Sequence, residues 1–476
     1  MLSLIDNCTT LPVLFGSIYY IRRLTLLKFG TQKKELRSLK HFYSFWLKKT
    51  GKTFDLSLYE SQYDIAQFIP QLDLFFHYLL NKQHVISQES LDTIAYSGPF
   101  THQIQSTNVA HLRAVVKFFT YLNQRYMNAR YQHISGYELS KTREWNVQLL
   151  KEVISRFRRM SSTKNSMNSF RSMTQEQMLQ LNNMLLPSSS AFIDQDSGTE
   201  YDSIVNTLNP FNSMFLQYRT FLMHRLLFNY GLRIGEVLLL MTESLGASQP
   251  DSNGKVHYLL SVQNIPDGVS DPRKEPIMLK NEHSSRIIEL DEDDYHYLII
   301  FVKAIRTQLF SPHSSQLDYG FLFTTDRGKC QPLTYDAVRK SYKKIDMAFI
   351  SLYPHYRQGP AYSQLAKLTP HVGRHTWAFV TMTYIYNKLL NDELLLKKTY
   401  GVSGRVTGLL DAAAEQLRIL GGWSILSKMP YKYARRFVAN LANENNLSRI
   451  GNAYNNKTSV HNDKPLTGEV EYDPFI

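Results

Sequence analysis

Apolar residues recur every three or four positions over much of the chain's first third. The clearest runs are LRSLKHFYSFWLKK at 36–49 and VAHLRAVVKFFTYLNQRY at 109–126, where basic residues stand between aromatic ones. A stripe with this period is typical of a helix that buries one face. The pattern therefore predicts a helical domain over residues 36–130 with a basic face. The aromatic residues expected in its core are Phe42, Phe45, Phe118, Phe119 and Tyr121.

A second helical region begins near Met173, where Thr174 and Gln177 form a capping-box pattern ahead of an apolar stripe. Further helices are expected at about 211–229, 292–310, 333–350, 371–390 and 408–420. Residues 256–290 are instead β-prone, and PIMLKNEHSSRIIEL at 276–290 predicts two short strands around a polar turn. The expected fold class is mainly α with a small antiparallel β-sheet.

Shifts in composition divide the chain. Residues 151–172 become basic and rich in Ser and Asn, which is typical of an extended connection. From Glu444 onward the chain is rich in Asn, Asp and Lys, which predicts a loose tail or one that a partner orders. The predicted divisions are an N-terminal arm at 1–35, a helical domain at 36–156, a basic linker at 157–172, a mixed α/β domain at 173–443 and a C-terminal tail at 444–476.

The charge balance favours a polyanionic partner. The chain has 54 Lys and Arg against 41 Asp and Glu, a formal net charge of +13. Phosphates that a basic surface neutralises release condensed counterions, although a solvated basic face gives the same excess. Two cysteines, Cys8 and Cys330, are too few for a disulfide framework and indicate a reducing, cytoplasmic compartment. The apolar run at 11–21 is too short to span a bilayer, so we expect nucleic acid and no membrane as partner.

Three motifs stand in order in the second domain. They are Gly231-Leu232-Arg233-Ile234-Gly235-Glu236, then Thr369-Pro370-His371-Val372-Gly373-Arg374-His375-Thr376, then Leu420-Gly421-Gly422-Trp423 with two tyrosines shortly after. Together and in this order they resemble the signature of the tyrosine recombinases, the family that includes phage integrases. The resemblance extends over residues 36–440.

This resemblance implies a fold, an activity and partners. The fold would be a helical core-binding domain followed by a mixed α/β catalytic domain. The activity would be site-specific cleavage and rejoining of DNA through a 3′-phosphotyrosyl intermediate, without cofactor or metal. The implied partners are double-stranded DNA and three further copies of the chain, as a homo-tetramer on two DNA sites in the nucleoid. Whether DNA-bending accessory proteins take part stays open.

The residue types suit attack on a phosphodiester. Negative charge develops on the non-bridging oxygens, and arginines bind such oxygens bidentately while staying protonated. We assign Arg233 and Arg374 to this role; the alternative for Arg233 is a plain ion pair with Glu236. His371, three residues before Arg374, shares its helix face and can donate a hydrogen bond or shuttle a proton. A zinc pair of His371 and His375 would need Glu where this chain has Val372.

The nucleophile is expected among two tyrosines. The family places it nine positions after a His or Trp, and Trp423 stands ten before Tyr433 and eight before Tyr431. We favour Tyr433, because Met429 precedes it by four and Ala434 follows it, as in the family pattern, and we keep Tyr431 as the alternative. The resemblance further assigns Trp423 to an indole contact with the phosphate.

The resemblance assigns the general acid to Lys280, just before the turn of a β-hairpin and six residues ahead of Arg286. Two other functions stay open. A type IB topoisomerase uses the same chemistry without choosing a sequence. A DNA-binding accessory protein with a decayed site would fit Gly373, where the family has an apolar residue, and the irregular spacing after Trp423.

Overall fold

The structure is a computed structural model of the chain. It describes residues 3–5, 10–80, 106–130, 135–160, 171–188, 192–193, 200–201, 205–310, 318–326, 331–358, 364–400 and 408–459. The chain divides into two compact units, Met1–Met167 and Asn168–Ile476. Cys8, Cys330 and residues 161–170 of the expected linker lie outside the described residues.

The described part of the first unit is helical throughout. Its α-helices are α1 Leu14–Tyr19, α2 Phe29–Thr50, α3 Phe54–Glu60, α4 Gln71–Leu80, α5 Ser106–Arg130 and α6 Gly136–Met160. A π-helical turn at Tyr20–Leu24 continues α1, and a 3-10 turn at Ile65–Gln67 precedes α4.

Aromatic rings fill the core of this unit. Phe42 of α2 lies with its ring centroid 5.0 Å from that of Phe54, 5.4 Å from Phe75 and 5.3 Å from Phe119, each edge to face. Edge-to-face pairs of this kind add stabilisation beyond the burial of their apolar area. The five aromatic residues expected in the core are all buried, so this prediction is confirmed.

Residues of the expected N-terminal arm pack into the same core. Phe15 lies 5.0 Å from Tyr126, and Tyr19 lies 5.3 Å from Phe118, between ring centroids. Leu24 is also buried in this cluster. The segment from 14 to 24 is therefore an integral part of the first unit.

The expected helical domain ends at residue 156, but α6 continues to Met160, so residues 157–160 of the expected linker are helical and not extended. Val153 and Phe157 lie four apart on one face, and Phe157 packs against Phe76 with 4.1 Å between ring centroids. Arg156 donates to both carboxylate oxygens of Asp73, at 2.5 and 2.7 Å. These tertiary contacts outweigh the basic, polar composition that indicated a linker.

The described part of the second unit combines helices with short strands. The helices are α7 Gln175–Leu185, α8 Met214–Phe228, α9 Ile234–Val237, α10 Glu292–Ile300, α11 Tyr335–Leu352, α12 His355–Gln358, α13 Pro370–Tyr400, α14 Leu409–Leu420, α15 Met429–Tyr433 and α16 Arg435–Ser459. The strands are β1 Phe192–Ile193, β2 Glu200–Tyr201, β3 Leu245–Ala247, β4 Tyr258–Val262 and β5 Arg286–Leu290. A mainly α fold with a small antiparallel sheet is therefore confirmed.

The three-stranded sheet has the order β3-β4-β5 and is antiparallel, with Leu260 opposite both Leu245 and Ile288. The prediction of two strands within 276–290 is half wrong, because β5 pairs with β4 and residues 276–280 form no strand. Ile277 and Leu279 are buried while Met278 is exposed. The strand-like alternation of this segment therefore reflects burial of every second side chain, without pairing to a neighbouring strand.

The capping box at the start of α7 is confirmed. The Gln177 amide donates to Thr174 Oγ1 at 3.2 Å, and the Thr174 amide donates to Gln177 Oε1 at 2.9 Å. The Met173 amide donates to Thr376 Oγ1 of α13 at 2.9 Å, which ties the beginning of this unit to the helix that carries the second motif.

The C-terminal segment differs from its prediction. Residues 444–459 continue α16 and are not a loose tail, while 460–476 lie outside the described residues. Among the helices that the structure describes, none combines the length and apolar character needed to cross a bilayer.

Candidate active site

The first turn of α13 carries the second motif. The helix begins at Pro370, whose fixed φ suits a first helical position. Gly373 faces α8, and a Cβ atom there would lie 2.7 Å from the Phe228 ring. Glycine therefore lets α13 and α8 approach closely, which gives the unexpected residue in this motif a packing role.

Arg374 is held inside the unit by backbone carbonyls. Its Nη1 donates to Gly231 O and its Nη2 to Gly421 O, and the side chain is 1% exposed. Its guanidinium carbon lies 4.4 Å from the Trp423 ring centroid. Burial, and secondly the charge of Arg233, lower the pKa of Arg374 to about 9, so it stays cationic at neutral pH.

Three of the five N–H donors of Arg374, the Nε–H among them, lie outside these two bonds. Its buried Nε has no hydrogen-bond partner among the described residues. A buried donor without an acceptor is costly, and such atoms often mark a position where a ligand atom binds. This N–H can donate a hydrogen bond to an anionic oxygen.

Arg233 precedes α9 and has several partners. Its Nη1 donates to Glu236 Oε1 and, at 3.0 Å, to Ser284 Oγ, while Nη2 donates to Gly422 O at 3.2 Å. The ion pair with Glu236 that the sequence offered as an alternative is therefore present. It leaves the Nε–H and one Nη2 hydrogen outside these three bonds.

Glu236 is the buried counterion of the site. Its Oε2 accepts from Arg286 Nη2 at 3.1 Å and from the backbone amide of Arg233 at 2.9 Å. Burial raises the pKa of this carboxyl, but Arg286, Arg233 and Arg374 outweigh burial and hold the pKa below its usual value. Glu236 is thus ionised at neutral pH and partly balances three guanidinium charges.

Tyr433 lies in an aromatic stack. Its ring stacks on His375 with 4.3 Å between centroids and lies 5.4 Å from Trp423. Its hydroxyl lies 3.5 Å from His371 Nε2, and its ring centroid lies 5.7 Å from the Arg374 guanidinium carbon. The structure therefore brings Tyr433, His371 and Arg374 together.

Both histidines of the motif are neutral at neutral pH. Burial, followed by the charges of Arg171, Arg374, Lys280 and Lys432, lowers the pKa of His371. Burial and the neighbouring His371 lower the pKa of His375 to about 4. A neutral imidazole has one nitrogen that can accept a proton, so His371 can act as a base towards the Tyr433 hydroxyl.

Tyr431 has a different environment. Its hydroxyl donates to Asp411 Oδ1, on α14. Burial and this hydrogen bond raise the pKa of Tyr431 to about 12. The carboxylate thus keeps the phenol protonated.

Lys280 lies close to the site, although not on a hairpin strand. It is exposed and stands just before a 3-10 turn at Glu282–Ser284 that leads into β5. Its charge contributes to the lowered pKa of His371. The positive charge of Lys280 is therefore close enough to His371 to disfavour protonation of its imidazole.

The loop between Trp423 and α15 accommodates the irregular spacing. Leu426 has φ +64° and is 91% exposed. A left-handed conformation is strained for a branched residue. Leu426 lies in a turn in which the Ser427 amide donates to Ser424 O at 3.1 Å. Although Trp423 and Tyr433 are ten positions apart and not nine, their ring centroids lie 5.4 Å from each other.

Neither a family model nor a curated protein matches the chain. The solved structures to which it is similar include two recombination enzymes. The Tn1549 transposon integrase, residues 82–397 in complex with transposon right end DNA, is 13% identical over 77% of this chain and 94% of that chain, with a TM-score of 0.32. The XerH site-specific recombinase bound to palindromic difH substrate is 14% identical over 84% of this chain and 94% of that chain, with a TM-score of 0.30.

Two residues that contribute to the site, Glu236 and Arg286, were not predicted from the sequence as part of it. Glu236 was considered only as a partner of Arg233, and Arg286 only as a landmark for Lys280, yet Arg286 joins Glu236 to the turn before Trp423. Their charge was a signal, but their burial was not visible in the sequence. Among the described residues, no group of three or more His, Cys, Asp or Glu side chains is placed to hold a metal ion.

Proposed function

We propose that the chain is a tyrosine-type, site-specific DNA recombinase, with Tyr433 as nucleophile. One observation carries the proposal: the Tyr433 hydroxyl lies 3.5 Å from the neutral imidazole of His371, beside the buried cation of Arg374. A phenol next to a proton acceptor and a fixed cation can attack a phosphate, and catalytic hydrogen bonds often shorten only when substrate binds.

The proposed step exchanges one phosphoester for another. The Tyr433 oxygen bonds to the scissile phosphorus, the bond to the 5′ oxygen breaks, and the DNA 3′-phosphate remains on the enzyme. The phenol proton passes to His371, and the leaving 5′ oxygen takes a proton from Lys280. Arg233 and Arg374 stabilise the charge on the non-bridging oxygens. Rejoining is the reverse step and needs no ATP, cofactor or metal.

The left-over Nε–H of Arg374 supports its role in phosphate binding, because a non-bridging oxygen would satisfy it. Trp423 packs against the same guanidinium at 4.4 Å and beside Tyr433. We propose that its indole covers the phosphate and donates its N–H to it. His375 supports the Tyr433 ring by stacking.

Double-stranded DNA is the proposed substrate, consistent with the net charge of +13. From the resemblance of its motifs to those of tyrosine recombinases, we also propose that four copies of the chain assemble on two DNA sites and that the protein associates with the nucleoid. The mass of protein–DNA complexes in solution tests the tetramer: assemblies no larger than one chain per DNA site would contradict it.

Trapping of a covalent complex tests the mechanism. The wild type and its Tyr433→Phe and Tyr431→Phe variants are incubated with DNA that flanks the protein's own coding sequence and carries a nick next to the cleavage position. We expect a covalent band from the wild type and from Tyr431→Phe, and none from Tyr433→Phe. Loss only with Tyr431→Phe would keep the reaction and move the nucleophile.

The rival functions give other results. A type IB topoisomerase would relax supercoiled DNA of unrelated sequence as readily as DNA from its own locus. Tight DNA binding without a covalent band from any variant would favour an accessory protein with a decayed site.

A further inference from the structure

Four consecutive backbone carbonyls in the segment 420–423, here called the carbonyl turn, each accept a hydrogen bond from a different arginine. Leu420 O accepts from Arg286 Nε at 3.1 Å, Gly421 O from Arg374 Nη2, Gly422 O from Arg233 Nη2 at 3.2 Å, and Trp423 O from Arg418 Nη1 at 2.9 Å. The turn thus collects guanidinium groups from four different parts of the second unit.

The position of the turn explains why arginines gather there. It ends helix α14, where the last carbonyls have no intrahelical partner and carry partial negative charge. The chain closes the helix with the Gly421 amide donating to Leu417 O at 2.9 Å and the Gly422 amide donating to Ile419 O at 3.1 Å. The next carbonyls point outward from the helix end, and cations are favoured there.

Two glycines make this shape accessible. Gly422 has φ +57°, and a Cβ atom there would lie 2.8 Å from the carbonyl oxygen of His283. A Cβ atom on Gly421 would lie 2.4 Å from the Trp423 ring. Side chains at these positions would push the carbonyls away from the arginines.

The four arginines differ in what else they contact. Arg374 and Arg233, the inner pair, retain donors for a phosphate. Arg286 and Arg418, the outer pair, are turned towards the protein. Arg286 also donates to Ser284 O at 2.9 Å and Glu236 Oε2 at 3.1 Å, and Arg418 donates to both Glu415 oxygens at 2.7 and 2.6 Å.

We propose that Arg286 and Arg418 are positioning residues that hold the carbonyl turn, and through it Arg233 and Arg374, in the geometry for strand cleavage. The inference rests on the proposed function and adds to it residues that do not touch the substrate. The inner arginines repel one another, as the effect of Arg233 on the pKa of Arg374 shows. Two adjacent carbonyls, fixed at both ends by further arginines, hold these like charges close together.

The test compares Arg286→Ala and Arg418→Ala with a matched control, Arg339→Ala. Arg339 also forms an ion pair three residues away, with Asp336 at 3.0 Å, and its removal changes the net charge equally. Hydrogen exchange of the free proteins reports on the turn. The rate of covalent-complex formation is measured at saturating DNA, with an ordinary scissile phosphate and with a methylphosphonate, which lacks one negative oxygen.

We expect exchange of the amides in 420–428 to become faster in both outer variants and to stay unchanged in the control. Cleavage of the phosphodiester should fall about tenfold to hundredfold, as for loss of a hydrogen bond to a charged group, with little change in DNA affinity. The defect should shrink on the methylphosphonate, because less charge needs stabilisation there. A purely structural role would slow both substrates equally.

Three results would overturn the inference: unchanged exchange, unchanged cleavage despite faster exchange, or equal defects on both substrates. Failure of the proposed function is distinguishable, because the wild type would then form no covalent complex with either substrate. Faster exchange in the outer variants would in that case remain as proof that they hold the turn, without a role in cleavage.

Discussion

Tyr431 and Tyr433 lie two residues apart on the same one-turn helix, yet their hydroxyl groups have opposite surroundings. Tyr431 donates to the carboxylate of Asp411, which, together with burial, raises its pKa to about 12. Tyr433 faces the neutral imidazole of His371, in a stack with His375. One phenol is held by a group that keeps it protonated, and the other lies beside a group that can take its proton.

Under the proposed function, the partner of a tyrosine, more than its position in a motif, decides whether it can act as the nucleophile. Both residues satisfy the sequence pattern within one position. They differ in the partners of their hydroxyl groups. His371, beside Tyr433, lies on α13, and Asp411, beside Tyr431, lies on α14. Four predictions test this contrast.

The largest expected effect is that of Arg374→Ala, which removes the cation on the Tyr433 side. Covalent-complex formation should fall about 10³- to 10⁵-fold, the range for arginines that stabilise a phosphoryl transition state. Single-turnover cleavage at saturating DNA measures it. Arg374→Lys should recover only part of the rate, because an ammonium cannot bond both Gly231 O and Gly421 O in the same planar geometry. A fall of less than tenfold in the cleavage rate of Arg374→Ala would contradict a role of this cation in stabilising the transition state.

His371→Ala should have the next largest effect. Loss of a positioned proton acceptor should lower the cleavage rate on the order of 100-fold while DNA affinity stays unchanged. The control is Tyr431→Phe, which leaves His371 in place. An unchanged rate in His371→Ala would show that the phenol loses its proton to another group, and the contrast between the tyrosines would lose its chemical basis.

The pH dependence should show a smaller effect with a defined sign. Because the pKa of His371 lies below its ordinary value of about 6.5, the imidazole is neutral and able to accept a proton at pH 7. As pH falls through the lowered pKa, the imidazole becomes protonated, and the rate should fall about tenfold per pH unit. Rates from pH 7.5 down to 5 measure this. The decline should be absent in His371→Ala, and an identical decline in that variant would contradict the assignment.

Asp411→Asn should have the smallest effect on cleavage, within about threefold of the wild type. An amide no longer holds the proton on Tyr431 as a carboxylate does, so the pKa of this tyrosine should move down from about 12 towards its ordinary value. Nuclear magnetic resonance of carbon-13-labelled tyrosine follows the titration, with Tyr431→Phe identifying the signal. A large fall in cleavage would show that the Tyr431 side also belongs to the reaction.

Local signals predicted much of the fold. The capping box at Thr174 and the aromatic stripe around Phe42 and Phe118 depend on neighbours one or two turns away, and both are present. Predictions failed where distant contacts decide. The contact of Phe157 with Phe76 extends α6 through a basic, polar segment, and burial of Ile277 and Leu279 imitates a strand.

For the candidate site, the sequence supplied Arg233, His371 and Arg374 through their motifs. It favoured Tyr433 over Tyr431 from the neighbouring residues alone. The loop between Trp423 and Tyr433, with its left-handed residue Leu426, is a backbone property without a residue signature. Many of the hydrogen bonds that hold the arginines go to backbone carbonyls. Such acceptors are present at every residue, so a sequence pattern cannot predict which of them an arginine will contact.

The carbonyl turn has a consequence for how the sequence can vary. Its acceptors are main-chain atoms, present whatever residue is encoded, so substitutions at Leu420 leave the Leu420 carbonyl to accept from Arg286. Gly421 and Gly422 lack this freedom, because any side chain collides there. We therefore expect substitutions of the two glycines and the four arginines to be poorly tolerated, while substitutions of the apolar side chains between them are tolerated.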